Sequence, residues 1–332
     1  MKSRVLCAVQ MNWSADIYRT KETFESKIRG LVEQCRSHSG DGELLIVFPE
    51  DVGTPLVLLD APGWVFRTGS LKNAVTRLTL CHGISTFKNR LLHKTSWVRS
   101  LALARADTAA RAYFDTFSRL AREYRTTIVA GSILLPDISL QDIQEVLLNK
   151  KNNFLSHGSD VYNICYVFGP HGEIIGSQKK VYLVPGLEDK DGFDISNGSL
   201  SDLNVIDSPF GRLGIAICLD SFQEDVVGNL AAHGAEILIQ PSANCKPWLR
   251  EEQEGWMESA WRAMDSHNFK FALNPMMTGC LFDLCFEGQS SILQKDYASV
   301  QYGYKDLKPD KYFVKIAESW AGEEILILNM SL

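Results

Sequence analysis

No stretch of this chain approaches the roughly eighteen consecutive apolar residues that a membrane-spanning helix needs. The opening MKSRVLCAVQMNW also lacks the longer apolar run of a secretion signal, so a soluble, cytoplasmic protein is expected. Pro-, Gly- or Ser-rich linkers are missing too. The 332 residues therefore show no seam for division, and one domain over 1–332 is expected. There is no CxxC pair, and the eight cysteines, at 7, 35, 81, 165, 218, 245, 280 and 285, follow no zinc-knuckle or disulfide-framework spacing. Most are expected to be reduced core thiols. No HExxH, GxGxxG or P-loop occurs, so neither a metal nor a cofactor is expected. Positive charge is in short supply, with 34 Lys and Arg against 40 Asp and Glu, a formal net charge of −6. That balance excludes a general nucleic-acid binder.

One segment runs against that balance: from Arg67 to Ala106 there are eight Lys or Arg and no acid. Around it, short apolar runs at Val5–Val9, Leu44–Phe48 and Thr127–Ala130 read as buried strands. The intervening Phe24/Ile28/Leu31/Cys35 and Tyr113/Phe117/Leu120/Tyr124 follow helical steps, one face of each helix lying on a sheet. The first half thus reads β-α-β, a long insertion, then α-β. Val161–Phe168 and Glu173–Ser177, joined across Gly169-Pro170-His171-Gly172, read as a hairpin. Leu213–Ile217 is a further strand that ends at Cys218. Ser221 and Glu224 have capping-box spacing, opening a helix with Phe222, Val226 and Leu230 on one face that stops at His233-Gly234. Strand, helix and strand follow at Glu236–Gln240, Leu249–Ser266 and Phe269–Asn274. Hairpins mixed with crossovers predict a layered α/β sandwich rather than a purely parallel sheet.

Cys218 falls where a strand gives way to a helix, a sharp turn that lifts a nucleophile above the sheet edge and leaves nearby backbone N–H groups for an oxyanion. A helix start beside it favours the thiolate. Taken alone, the residue is an ordinary core thiol. A thiol nucleophile needs a base, and none of the seven dispersed histidines stands at a strand end. Glu50 does, after Leu-Leu-Ile-Val-Phe-Pro, and an apolar surround raises a carboxyl pKa toward a useful value. Lys180 follows another strand, where a fixed cation can stabilise an oxyanion. Glu188, eight residues on in an acid-rich loop, can tune such a cluster.

Three motifs in this order, Phe48-Pro49-Glu50, Lys180-Val-Tyr-Leu-Val-Pro185 with Glu188, and Leu213-Gly-Ile-Ala-Ile-Cys218-Leu-Asp220, resemble the nitrilase superfamily of carbon–nitrogen hydrolases. Weaker echoes at His233–Ser242, Trp261–Asp265 and Glu287–Ile292 extend the resemblance from residue 3 to about residue 295. It implies a four-layer α-β-β-α sandwich that commonly forms homodimers or higher homo-oligomers. It also implies Glu50 as general base, Cys218 as nucleophile, Lys180 at the oxyanion and Glu188 as a second glutamate in the site. The backbone N–H of Leu219 completes the oxyanion hole. Tyr182 stands where many relatives have His, and Ser221-Phe-Gln-Glu224 replaces a common Arg-Phe-Pro-Glu run.

The implied reaction is thiolate attack on an amide, carbamoyl or nitrile carbon, loss of ammonia or an amine, and hydrolysis of a thioester. Nitrile-cleaving relatives usually carry Trp-Glu after the cysteine. Here Leu219-Asp220 follows, so a small amide or carbamoyl substrate is expected, with nitrile hydrolysis or a catalytically silent binding protein as alternatives. Asp51–Leu59, Leu187–Phe193 and Ala243–Trp248, the last including Asn244 as a substrate-binding candidate, are expected to line the pocket. The basic insertion at 67–106 reads as amphipathic helix. It is either a lid or dimer contact, or a surface that attracts an anionic substrate, partner or membrane.

Overall fold

Within β1 (Arg4–Trp13) the side chains of Val5–Val9 alternate between two cores, which is why that stretch reads as an unbroken apolar run rather than an amphipathic one. In the computed structural model of the chain, which describes residues 3–40, 42–148 and 156–330, Val5, Cys7, Val9 and Met11 face one core and Leu6 and Ala8 the other. After β1 come α1 (Lys21–Ser39) and β2 (Glu43–Val47), and then α2 (Gly63–Phe66), α3 (Leu71–Cys81) and α4 (Gly83–His93). The long α5 (Trp97–Tyr124) leads to β3 (Thr127–Ile138), α6 (Leu140–Leu147) and the hairpin of β4 (Ser156–Phe168) and β5 (Ile174–Lys179). β6 (Val205–Ser208), β7 (Gly211–Ile215), α7 (Glu224–Ala232), β8 (Ile237–Ile239) and β9 (Ser242–Ala243) follow. The remaining elements are α8 (Arg250–Trp256), α9 (Arg262–Ser266), β10 (Phe271–Asn274), β11 (Met276–Leu281), β12 (Leu284–Phe286), β13 (Ser291–Gln294), β14 (Phe313–Ile316) and β15 (Glu324–Met330).

Two sheets result. The larger runs β12-β11-β1-β2-β3-β4-β5, with β15 on β1 and β9 on β11. β1, β2 and β3 are parallel, whereas β4 and β5 are antiparallel to their neighbours. The smaller sheet runs β14-β13-β10-β8-β7-β6. One core packs the outer face of the larger sheet under α1 and α5, through Phe24, Ile28, Tyr113 and Phe117. The other joins the inner face of that sheet (Leu45, Val47, Val129, Val167) to Leu213, Ile215 and Leu238 of the smaller one, with Val226 and Leu230 of α7 beyond. Helix, sheet, sheet, helix is the four-layer order expected.

Several local expectations change. Ser221 does not cap α7, whose N-cap is Gln223 with no side-chain bond; the Ser221 hydroxyl instead donates to the Cys218 carbonyl at 2.8 Å. The Cys218 turn takes Ser221 before the helix begins. The helix expected over Leu249–Ser266 breaks at Ser259, whose φ of −105° and ψ of −118° separate α8 from α9. Cys7, Cys35, Cys165 and Cys218 are buried free thiols, but Cys280 and Cys285 form a disulfide. Spacing hides that bond because the β11–β12 register is what sets the two residues opposite each other. The basic segment is helical, and α5 runs unbroken across residue 106, where the insertion was expected to end. No helix among the described residues is long and apolar enough to cross a membrane.

Candidate active site

Glu50 lies three residues beyond the end of β2, and β3 holds it there by an irregularity. The β3–β4 register shifts between Val129 and Ser132, where Gly131 adopts a φ of +66°. A Cβ on Gly131 would run into the Pro49 carbonyl oxygen, so only glycine lets the bulge approach this closely. The bulge hydrogen-bonds the loop on both sides of Glu50: Phe48 N–H to Val129 O at 2.9 Å, Asp51 N–H to Ser132 Oγ at 2.9 Å, and Gly53 N–H to Ser132 O at 2.8 Å.

Lys180 follows β5, its N–H donating to Asn163 O at 2.8 Å. The side chain is 1% exposed, and its ammonium donates to Glu50 Oε1 at 2.8 Å and Glu188 Oε2 at 2.7 Å. Glu188 is fixed in turn by the Val184 N–H at 2.7 Å. Asn163, in the middle of β4, joins both carboxylates: its Nδ2 donates to Glu50 Oε1 at 3.0 Å and Glu188 Oε1 at 3.2 Å.

Cys218 comes from the other sheet. The β7–β8 pairing continues past both strands through Ala216 N–H to Ile239 O and Cys218 N–H to Pro241 O, each 2.9 Å. Cys218 itself takes a φ of +48°, a left-handed conformation that costs a side-chain-bearing residue about 1–2 kcal/mol. Its thiol points to Ala243 O at 3.7 Å. Leu219 follows within the 3-10 turn Cys218–Phe222, whose first N–H groups are those a short helix cannot satisfy itself. Asp220, fully buried, accepts the Val181 and Tyr182 N–H groups at 3.1 and 2.7 Å. It thus locks the Lys180 segment onto the Cys218 turn.

The charges follow from this burial. Loss of water pushes Glu50 up to about 8; Lys180 opposes the shift, while Glu188 and Asp51 add to it. Burial also works against the Lys180 ammonium, but Glu50 and Glu188 outweigh it and hold its pKa well above the usual lysine value. The Cys218 thiol is pushed well up, first by burial and then by Glu50, with Lys180 pulling the other way. The expected resting thiolate is therefore not what this site favours. Burial, with the neighbouring Glu50 carboxyl adding to it, disfavours an anion on the sulfur. What the site holds is a buried thiol beside a carboxyl of raised pKa.

Glu50, Lys180, Glu188 and Cys218 are thus brought together. Asn244 is not free to bind a substrate: Nδ2 donates to Lys246 O at 2.9 Å and Glu287 O at 3.1 Å, and Oδ1 accepts the Lys246 N–H at 3.2 Å. Its amide ties its own loop to the Glu287 carbonyl. Asn163 and the anchoring role of Asp220 escaped the reading of the sequence. A polar amide inside the otherwise apolar Val161–Phe168 run was the available signal for the first. A void of about 20 Å³ beside the cluster is lined by Asp51, Leu187, Phe193 and Ala243, from the three expected stretches, and also by Leu284 and Phe286. No histidine lines it.

Residues 6–302 match the carbon-nitrogen hydrolase family. Omega-amidase NIT2 of Homo sapiens is 31% identical over 88 residues, which cover 25% of this chain and 31% of that protein. A citrullinase of Francisella tularensis is 29% identical over 90 residues, covering 27% of this chain and 31% of the relative. The chain thus spans about a third of the length of the curated relatives it matches. Among solved structures, Saccharomyces cerevisiae Nit3, of the nitrilase superfamily, superimposes with a TM-score of 0.61 at 17% identity, covering 99% of this chain and 90% of Nit3. That likeness is one of fold. With a match that spans most of its length, the chain belongs to the carbon-nitrogen hydrolase family.

Proposed function

We propose that the protein hydrolyses the carbon–nitrogen bond of a small amide or carbamoyl compound through a thioester on Cys218. The observation that carries this reading is the buried Lys180 ammonium bridging Glu50 and Glu188 at 2.8 and 2.7 Å beside a thiol on a left-handed turn. Relatives named omega-amidase and citrullinase support the amide-type substrate.

In this mechanism the Cys218 sulfur bonds to the carbonyl carbon as its proton passes to Glu50, and the oxyanion is met by Lys180 and the Leu219 N–H. Glu50 then gives that proton to the departing nitrogen, so the carbon–nitrogen bond breaks and ammonia or an amine leaves. With Glu50 again ionised, a water loses its proton to it and attacks the thioester, and the acid and the free thiol return. Glu188 and Asn163 act as positioning residues: they touch Lys180 and Glu50 rather than the substrate. Intact mass after incubation with an amide panel, alongside ammonia release, tests the scheme. An acyl adduct is expected in the native protein and none in Cys218→Ala; an adduct at another residue, or turnover by that variant, would refute it.

The finer settings belong to the same proposal. A cytoplasmic location is supported by the six free cysteines, the Cys280–Cys285 bond being the one feature that points the other way. One domain, and a homodimer or higher homo-oligomer, are what the resemblance supports. An anionic or membrane partner for the basic helices draws on Lys72, Lys88 and Lys94, all exposed. It draws less on the arginines: Arg99 pairs with Asp160 and Asp194, and Arg77, Arg90 and Arg105 donate to nearby carbonyls.

A further inference from the structure

The void beside Glu50 and Lys180, about 20 Å³, is little more than the roughly 10–15 Å³ that a single water needs. It has room for a reacting carbonyl and nothing attached to it. Next to it lies a cleft of about 1050 Å³, the size of a whole ligand site. Leu187, Phe193 and Leu284 line both spaces, so these three side chains form the partition between them. A smaller space of about 70 Å³ touches Phe193 and Leu284 as well.

The cleft is built largely by the helices between β2 and β3. Val75 and Leu80 from α3, Phe87 from α4 and Trp97 and Val98 from α5 form its walls. The charged residues that line it are Lys72, Asp191 and Asp283. Phe87 and Leu80 are 52% and 72% exposed, an arrangement that costs free energy in water unless an apolar group covers it.

We infer that this cleft holds an uncharged apolar arm of the substrate, several carbons long, joined to the reacting amide across the Leu187–Phe193–Leu284 partition. The inference rests on the amide-hydrolase reading above and names the substrate class of the same site. Loss of water from the arm supplies affinity in proportion to its length, and the partition moves aside to pass the chain. The arm belongs either to the acyl group, which stays on Cys218 as the thioester, or to the amine, which leaves first.

Two substrate series tell these apart: straight-chain primary amides from acetamide to octanamide, and N-alkylacetamides of matching length. One series should gain roughly two- to fourfold in kcat/KM per methylene before a plateau. Thr79→Trp, which fills the cleft from α3, and Phe87→Ser, at an exposed position, should each lower the ratio of long-chain to short-chain kcat/KM about tenfold or more. Flat or falling length dependence in both series, or variants that leave the ratio unchanged, overturns the inference while short-amide turnover leaves the amidase reading standing. If no amide reacts at all, the amidase reading fails, and calorimetry of octanamide with the Cys218→Ala protein still decides the cleft. Binding weakened by Thr79→Trp sustains it, and no heat or an unchanged affinity overturns it.

Discussion

In the proposed mechanism Glu50 has to be ionised to take a proton from Cys218, yet burial, with Glu188 and Asp51 adding to it, pushes its pKa up to about 8. The fraction able to act as base therefore grows as pH rises through that value. kcat/KM should climb with pH on a limb of midpoint near 8. Glu188 is one of the charges that raise Glu50, so Glu188→Gln should move the limb to lower pH, in pH profiles of kcat/KM on one short amide. A limb that stays put or moves up would deny Glu188 its electrostatic part. Sequence order and strand context were enough to single out Glu50, Lys180 and Cys218. Asn163 stood out only as an amide in an apolar run, and its role was not legible, because nothing in a strand's composition says that the amide will face two carboxylates from other segments. The partners of Asn244 were hidden for the complementary reason: its hydrogen bonds run to Lys246 and Glu287, and the second is brought near only by the fold.

Between residues and the whole stand the two irregular strand ends. The β3 bulge at Gly131 holds the Glu50 loop, and the continued β7–β8 pairing carries Cys218 to its left-handed turn. Gly131→Ala adds a Cβ at a φ of +66° against the Pro49 carbonyl, so the strand must shift. A loss of about 2 kcal/mol or more is expected in urea denaturation, from left-handed strain plus overlap. A fall in kcat of about tenfold or more should accompany it, because Pro49 precedes Glu50. Equal stability and activity would mean the bulge does not set the site. Apolar runs located these strands well. The capping box at Ser221 failed because its spacing is local, whereas the hydroxyl is claimed by the Cys218 carbonyl once the turn forms.

On the scale of the molecule, the site is a junction: Glu50 and Lys180 leave the larger sheet, Cys218 leaves the smaller, and Asp220 ties the two together. The helices over the cleft belong to this architecture less firmly. α4 buries only Thr86 among its eleven residues, and Ile84 is 91% exposed, whereas most of β1 is buried. Amide hydrogen exchange should therefore be faster over 83–93 than over β1 by roughly three orders of magnitude. Equal protection would make α4 part of the rigid core.

The sequence by itself determined the layered α/β class, the strands that frame the site and the three residue types in their order. Apolar periodicity and strand ends are local properties, and the chain carries them in plain view. Only the tertiary structure decided how those residues meet. The Lys180 bridge, the Asn163 link, the Asp220 tie and the Cys280–Cys285 bond each join segments through strand register or sheet packing. The state of the Cys218 thiol was decided there too: burial and the summed charge of neighbours distant in sequence set its pKa, and neither exists until the two sheets close on each other.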